Sequence, residues 1–248
     1  MRRLALLLAA SLALGAGGDD SQKPRVYKPS NVRDMEELAM LLKHRVAYLE
    51  LMVHAKPGEL LLDPKRDGFA AVIGPQRVAA PSFLFEDVDS ISVVGPKGRL
   101  AGRLVLLVPE LRVALVDVEA PMARIGLEPS PKAPPESRAL DQNVFALIST
   151  LAEADVQMGT VTDDGSAEEL EGHVRTTLRL SAGMPVFDDH ARLLGIARTA
   201  AWDHEKTLIF TPEHIEKAKT STQVVPAPKK APTPEGPWWL APPKKPAP

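Results

Sequence analysis

Between positions 68 and 210 the apolar residues fall into short runs closed off by turn-forming residues. This spacing limits the chain to an all-β architecture, a sandwich or a barrel. The first series comprises Phe69 to Ile73, Val78 to Ala80, Ile91 to Val94, Leu100 to Val108, Val113 to Val118 and Met122 to Leu127. Turn signals at Gly74-Pro75, Gly95-Pro96-Lys97-Gly98 and Pro109-Glu110 separate several of them. A second series runs through Val144 to Ile148, Val156 to Val161, His173 to Leu180, Met184 to Phe187, Arg192 to Arg198 and Lys206 to Phe210. Between the two, Pro129 to Glu136 carries four prolines in eight residues and reads as an interdomain linker.

The flanks differ from this pattern. Met1-Arg2-Arg3, an apolar run from Leu4 to Leu14 and the small residues Gly15 to Gly18 are the parts of a secretory signal peptide, too short for a comfortable membrane span. No stable span is expected once it is cleaved near Ala16 to Gly18, and the location implied is secreted or periplasmic. The chain has no cysteine, which excludes disulfides and a lipobox anchor. Cleavage after Gly18 removes Arg2 and Arg3, leaving 28 basic residues against 32 acidic ones, a balance of −4 that argues against nucleic-acid binding.

Ser21 to Pro29 reads as a leader that is ordered only where it docks. Val32, Met35, Leu38, Ala39 and Leu42 recur at helical steps behind Asn31 and Asp34, so a short amphipathic helix is expected there. Alternation at Val46, Tyr48, Leu49, Leu51 and Val53 then predicts a strand. At the other end Thr211-Pro212-Glu213 opens a helix through Lys219. From Ser221 to Pro248, nine prolines in 28 residues and the pairs Lys229-Lys230 and Lys244-Lys245 predict a disordered, extended tail reaching ~80 Å. Trp238-Trp239-Leu240 stands out in it as a candidate partner-docking motif.

One stretch, Leu178 to Ala197, orders its features in a particular way. A small-residue corner at Ser181-Ala182-Gly183 leads through Met184-Pro185 into an apolar strand, a polar turn at Asp188-Asp189-His190 and a strand closing on Gly195-Ile196. This resembles the nucleophile segment of trypsin-like serine peptidases of the HtrA-type branch, in which a Gly-Asn/Asp-Ser-Gly-Gly-Pro corner precedes a hairpin ending in Gly-Ile. Matching Pro185 and Gly195-Ile196 to the motif puts Ala182 at the serine position, with Leu180 and Met184 in place of two glycines. Arg77 to Ile91 keeps the rhythm of the family's histidine segment with Phe83 at the histidine. Arg112 to Val118 matches its aspartate strand with Arg112 at the aspartate. Leu208 to Ile215 resembles its last strand and closing helix.

The resemblance spans Arg45 to Lys219 and implies two six-stranded antiparallel barrels of the trypsin-like type. The expected divisions are 1–18 signal peptide, 19–44 leader and helix, 45–128 first barrel, 129–139 linker, 140–220 second barrel with its closing helix, and 221–248 tail. It also implies a degenerate triad at Phe83, Arg112 and Ala182. Loss of serine and histidine together removes most of an enhancement on the order of 10⁶-fold, so the chain reads as a pseudo-peptidase that binds protein or peptide. An active serine endopeptidase with misaligned residues, and a structural envelope protein tethered by its tail, are the alternatives.

Other chemistries find less support. Ser181 as a displaced nucleophile has no histidine in a matching place, and Ser82 reads as a turn hydroxyl. His44, His54, His173, His190, His204 and His214 show no metal-ligand spacing, so no metal and no cofactor is expected. Asp188-Asp189-His190 fits a hairpin turn better than a cation site. Gly95 to Gly98 is a turn and not a phosphate loop. Phe83 and Phe85 are expected to fill the interbarrel cleft as an apolar plug, in preference to leaving a surface for apolar peptides.

Overall fold

The structure is a computed structural model that describes residues 25–28, 31–54, 64–148, 155–166, 172–198 and 207–220. The expected signal peptide, most of the expected leader and the expected tail with Trp238, Trp239 and Leu240 lie outside the described residues. Helix α1 (Val32–Leu42) precedes six strands, β1 (Val46–Val53), β2 (Lys65–Gly74), β3 (Arg77–Pro81), β4 (Val88–Gly95), β5 (Gly98–Val108) and β6 (Val113–Val118). These close into an antiparallel barrel in the order β1-β2-β3-β6-β5-β4. Strands β7 (Asn143–Leu147), β8 (Val156–Asp163), β9 (Val174–Thr176), β10 (Pro185–Phe187), β11 (Leu193–Ala197) and β12 (Thr207–Phe210) form a second closed barrel, β10-β11-β12-β9-β8-β7, followed by α2 (Pro212–Lys219). Barrels are one of the two architectures the run spacing allowed, and two antiparallel barrels of six strands are what the resemblance implied.

Side chains on a strand alternate between faces, and here both faces of several strands are covered. In β6, Ala114, Val116 and Val118 point into the first barrel while Val113 and Leu115 join the core of the second. Strands β2 and β3 do the same, with Ala70, Val72, Val78 and Ala80 inside the first barrel and Ala71 and Ala79 on the seam. Double coverage explains why these strands are apolar runs and not alternating ones. The second core, centred on Phe145, Phe187 and Phe210, is continuous with the seam.

Both helices dock on that larger core. Leu38 and Leu42 of α1 are fully buried in it against β7 and β8. The leader docks with them, for Tyr27 is buried and its N–H donates to the Asp189 carbonyl at 2.9 Å. Helix α2 starts with a capping box between Thr211 and His214 and with Pro212 in its first turn, and it buries Ile215 and Ala218. The proline-rich connection is docked as well. Ser130 N donates to Val72 O at 2.8 Å, and Leu193 N and Ala133 N bond to Pro131 O and Leu193 O at 2.6 and 2.8 Å.

Two expected strands are corrected. Met122 to Leu127 contains a 3₁₀ turn, Met122–Ile125, bracketed by Pro121 and by Gly126 at φ 76°. Its apolar spacing has a different use: Met122, Ile125 and Leu127 cap the first barrel's core. Of His173 to Leu180 only Val174–Thr176 is strand. Leu178 and Leu180 are buried in irregular chain.

Candidate functional site

Where the barrels meet, a cleft of about 570 Å³ is lined by Arg66, Asp67, Gly68 and Phe69 of β2, by Phe83, Leu84 and Glu86, and by Ser181 and Ala182 of the second barrel. A 3₁₀ turn, Ser82–Phe85, carries Phe83 into this cleft. Arg66 caps the turn, its Nη1 donating to the carbonyls of Phe83, Leu84 and Glu86 at 3.3, 3.0 and 3.2 Å. The two N–H groups of this one nitrogen are shared among the three carbonyls.

On the facing side, the corner at Ser181 to Met184 is set by Gly183, at φ +83°. Its N–H donates to Ala197 O at 2.9 Å, and Met184 N donates to Ser181 O at 3.2 Å. A Cβ at Gly183 would lie 1.9 Å from the Phe69 carbonyl oxygen, so this glycine lets the two barrels approach. Leu180 and Met184, which stand where the resembling motif has glycines, put their side chains into the second core.

The structure brings Phe83 and Ala182 to one cleft. Arg112 is exposed and does not line it, although its carbonyl accepts from Ser82 N at 3.0 Å, next to Phe83. The plug expected of the two phenylalanines divides. Phe85 is buried in the first core, whereas Phe83 remains 39% exposed and lines an open cleft. Ser181 is exposed on the cleft, and Ser82 is buried and does not line it.

None of the described histidines lines this cleft. His44 bonds the Gly126 carbonyl at 2.7 Å, His54 faces Asp89 at 3.2 Å and His190 faces Asp189 at 2.6 Å. His173 and His214 lie ring to ring at 4.6 Å beside Glu110, Glu213 and Lys217. His204 is outside the described residues.

Asp188, Asp189 and His190 do approach one another. The buried Asp188 carboxylate already accepts from His190 N, Arg192 N, Arg192 Nε and Ser137 Oγ at 2.8 to 2.9 Å. That is the work of a turn: it closes the β10–β11 connection and leaves little acceptor capacity for a cation.

Arg66, Asp67, Phe69 and Glu86 were missed in the sequence. The signal available was that Asp67 and Phe69 are two apart on one strand, hence on one face. Asp67 takes a hydrogen bond from the Tyr48 hydroxyl; burial and this bond push the Tyr48 phenol up to about 12. The Tyr48 ring meets Phe69 edge to face at 5.6 Å. The cleft is thus an aromatic and aliphatic floor with two carboxylates at its edge.

Two six-stranded barrels facing each other across such a cleft define the trypsin-like serine protease fold. Among solved structures the chain is similar to the active form of the Rv3671c protease from M. tuberculosis, with a TM-score of 0.61 and 16% identity over 83% of this chain and 95% of that one. It is also similar to the inactive form of that protease, with a TM-score of 0.57 and 14% identity over 78% and 95%. No protein-family model matches the sequence, and no curated protein does.

Proposed function

We propose that this chain is an exported trypsin-fold protein without catalytic activity, which acts by binding a protein or peptide in the envelope or outside the cell. The observation that carries the reading is the chemistry of the cleft. The resemblance matches Ala182 and Phe83 to the serine and histidine of the peptidases, and both residues line the cleft. A methyl group cannot attack a carbonyl, and a phenyl ring cannot accept a proton. What remains is a concave apolar surface with a few polar groups, the usual composition of a binding site.

An active serine peptidase is the second reading, favoured by one observation, that Ser181 lines the cleft. Fluorophosphonate labelling of the purified protein, run beside casein degradation, separates the two. The binding reading expects no labelled serine and no turnover. It also expects Ala182→Ser to stay inactive, because a nucleophile without a base gains little. Labelling of Ser181 with turnover of casein would make the chain an enzyme.

A further inference from the structure

We propose that the cleft is occupied in cis by this chain's own Pro237-Trp238-Trp239-Leu240 segment, so that an external ligand has to displace it. The proposal rests on reading the cleft as a binding surface. Three observations lead to it. First, the cleft presents half-buried Phe69 and Ala182 and the 39% exposed Phe83 over the buried Leu84, an apolar floor left open by the described residues. Two adjacent indoles and a leucine are the largest apolar group in residues 221–248, and they gain by leaving water.

Second, the charges match. Asp67 and Glu86 outnumber Arg66 at the cleft, a balance of −1. The Trp-Trp-Leu segment is flanked by Lys229-Lys230 on one side and Lys244-Lys245 on the other, four positive charges against the one negative charge of Glu235. Third, the reach is of the right order. Trp238 is 18 residues beyond Thr220, the C-cap of α2. At ~3.1 Å per residue a proline-rich chain covers ~56 Å, most of the ~65 Å over the surface from one pole to the other of a compact body ~40 Å across. Tethering holds the segment at millimolar effective concentration, enough to fill a site of weak intrinsic affinity.

The absence of native cysteine makes the test direct. Full-length protein carrying Ser181→Cys and Ala241→Cys is oxidised mildly and the products are resolved by mass. The proposal expects an intramolecular disulfide whose initial rate falls about tenfold when Trp238→Ala and Trp239→Ala are added, or when Phe83→Asp is. A rate indifferent to those changes would overturn it, since chance encounter of a tether needs no indoles. So would a disulfide-linked dimer that grows with protein concentration, which would place the segment in a second copy.

A nitroxide on Ala241→Cys alone gives an independent reading. Docking broadens the amide resonances of Leu84, Ser181 and Ala182, and the double Trp change restores them; unbroadened signals from the start contradict docking. Fluorophosphonate labelling of the chain with its native Ser181, with and without Trp238→Ala and Trp239→Ala so that a docked segment cannot hide a reactive serine, keeps the two proposals apart. Labelling together with Trp-dependent cross-linking would retain the docked segment and replace the binding reading with a self-occluded enzyme.

Discussion

Single residues carry the junction between the barrels. Gly183 is the sharpest case, because both its φ of +83° and the Phe69 carbonyl exclude a side chain. Gly183→Ala is expected to cost on the order of 3 kcal/mol in urea unfolding, whereas Gly74→Ala, whose new methyl would meet only Arg77 Cβ at 3.6 Å, is expected to cost under about 1 kcal/mol. Asp188 is a second case. Asp188→Ala removes a buried acceptor of four hydrogen bonds and strands Arg192, with an expected loss of about 3 kcal/mol.

Tyr48 gives a pH signature. Its folded value of about 12 lies above its ordinary value near 10, so the neutral phenol is favoured by folding. The stability this contributes is complete below pH ~10 and is lost as pH rises toward 12. Absorbance titration at ~295 nm should show one delayed tyrosine. Asp67→Asn should move that tyrosine down, since the partner that raises it is then neutral.

The elements show which local patterns can be read and which cannot. Strands β1, β5 and β6 were legible from alternation or from apolar runs ended by turns. Met122 to Leu127 was not, because a run of six residues with four apolar ones has the same composition whether it crosses a barrel or caps it. Only the position of Pro121 and the positive φ of Gly126 distinguish the two. The cleft was half legible. Motif spacing located Phe83 and Ala182, while Arg66, Asp67 and Glu86 converge through barrel closure, which no local pattern contains.

Helix α2 makes a prediction of its own. Burial, the largest single influence on Glu213, would raise it, yet the hydrogen bonds from Arg138, Thr211 and the backbone and the Arg138 charge together outweigh burial, and bonds from Lys132 and Lys219 lower Glu216. Carboxylates held below their ordinary values stabilise the fold above pH ~4.5 and cease to do so as pH falls through the lowered values. Melting midpoints measured between pH 6 and 3 (about the span of those carboxylates) should fall, and Glu213→Gln with Glu216→Gln should flatten the curve.

At the scale of the molecule, the two barrels share a core. Val108, Val113 and Leu115 of the first belong to the same packed cluster as Phe145 and Phe187 of the second. Arg45 pins the seam from the first barrel by donating to the Ala191 carbonyl, and burial lowers its guanidinium's pKa despite nearby acidic groups. Unfolding is therefore expected to be one cooperative event, with Tyr48 absorbance and far-ultraviolet dichroism giving coincident urea transitions. Leu115→Ala should lower both together by about 3 kcal/mol.

The docking of α1 and α2 has a mechanical side. The chain comes in along α1 on β7 and β8, runs out to build the first barrel, and returns to finish with α2 against β11 of the second barrel and against β5 and β6 of the first. The two flanks therefore load the molecule differently. A pull at α1 would be felt first by the second barrel, at β7 and β8, whereas a pull at α2 would bear on both barrels at once, across the seam they share.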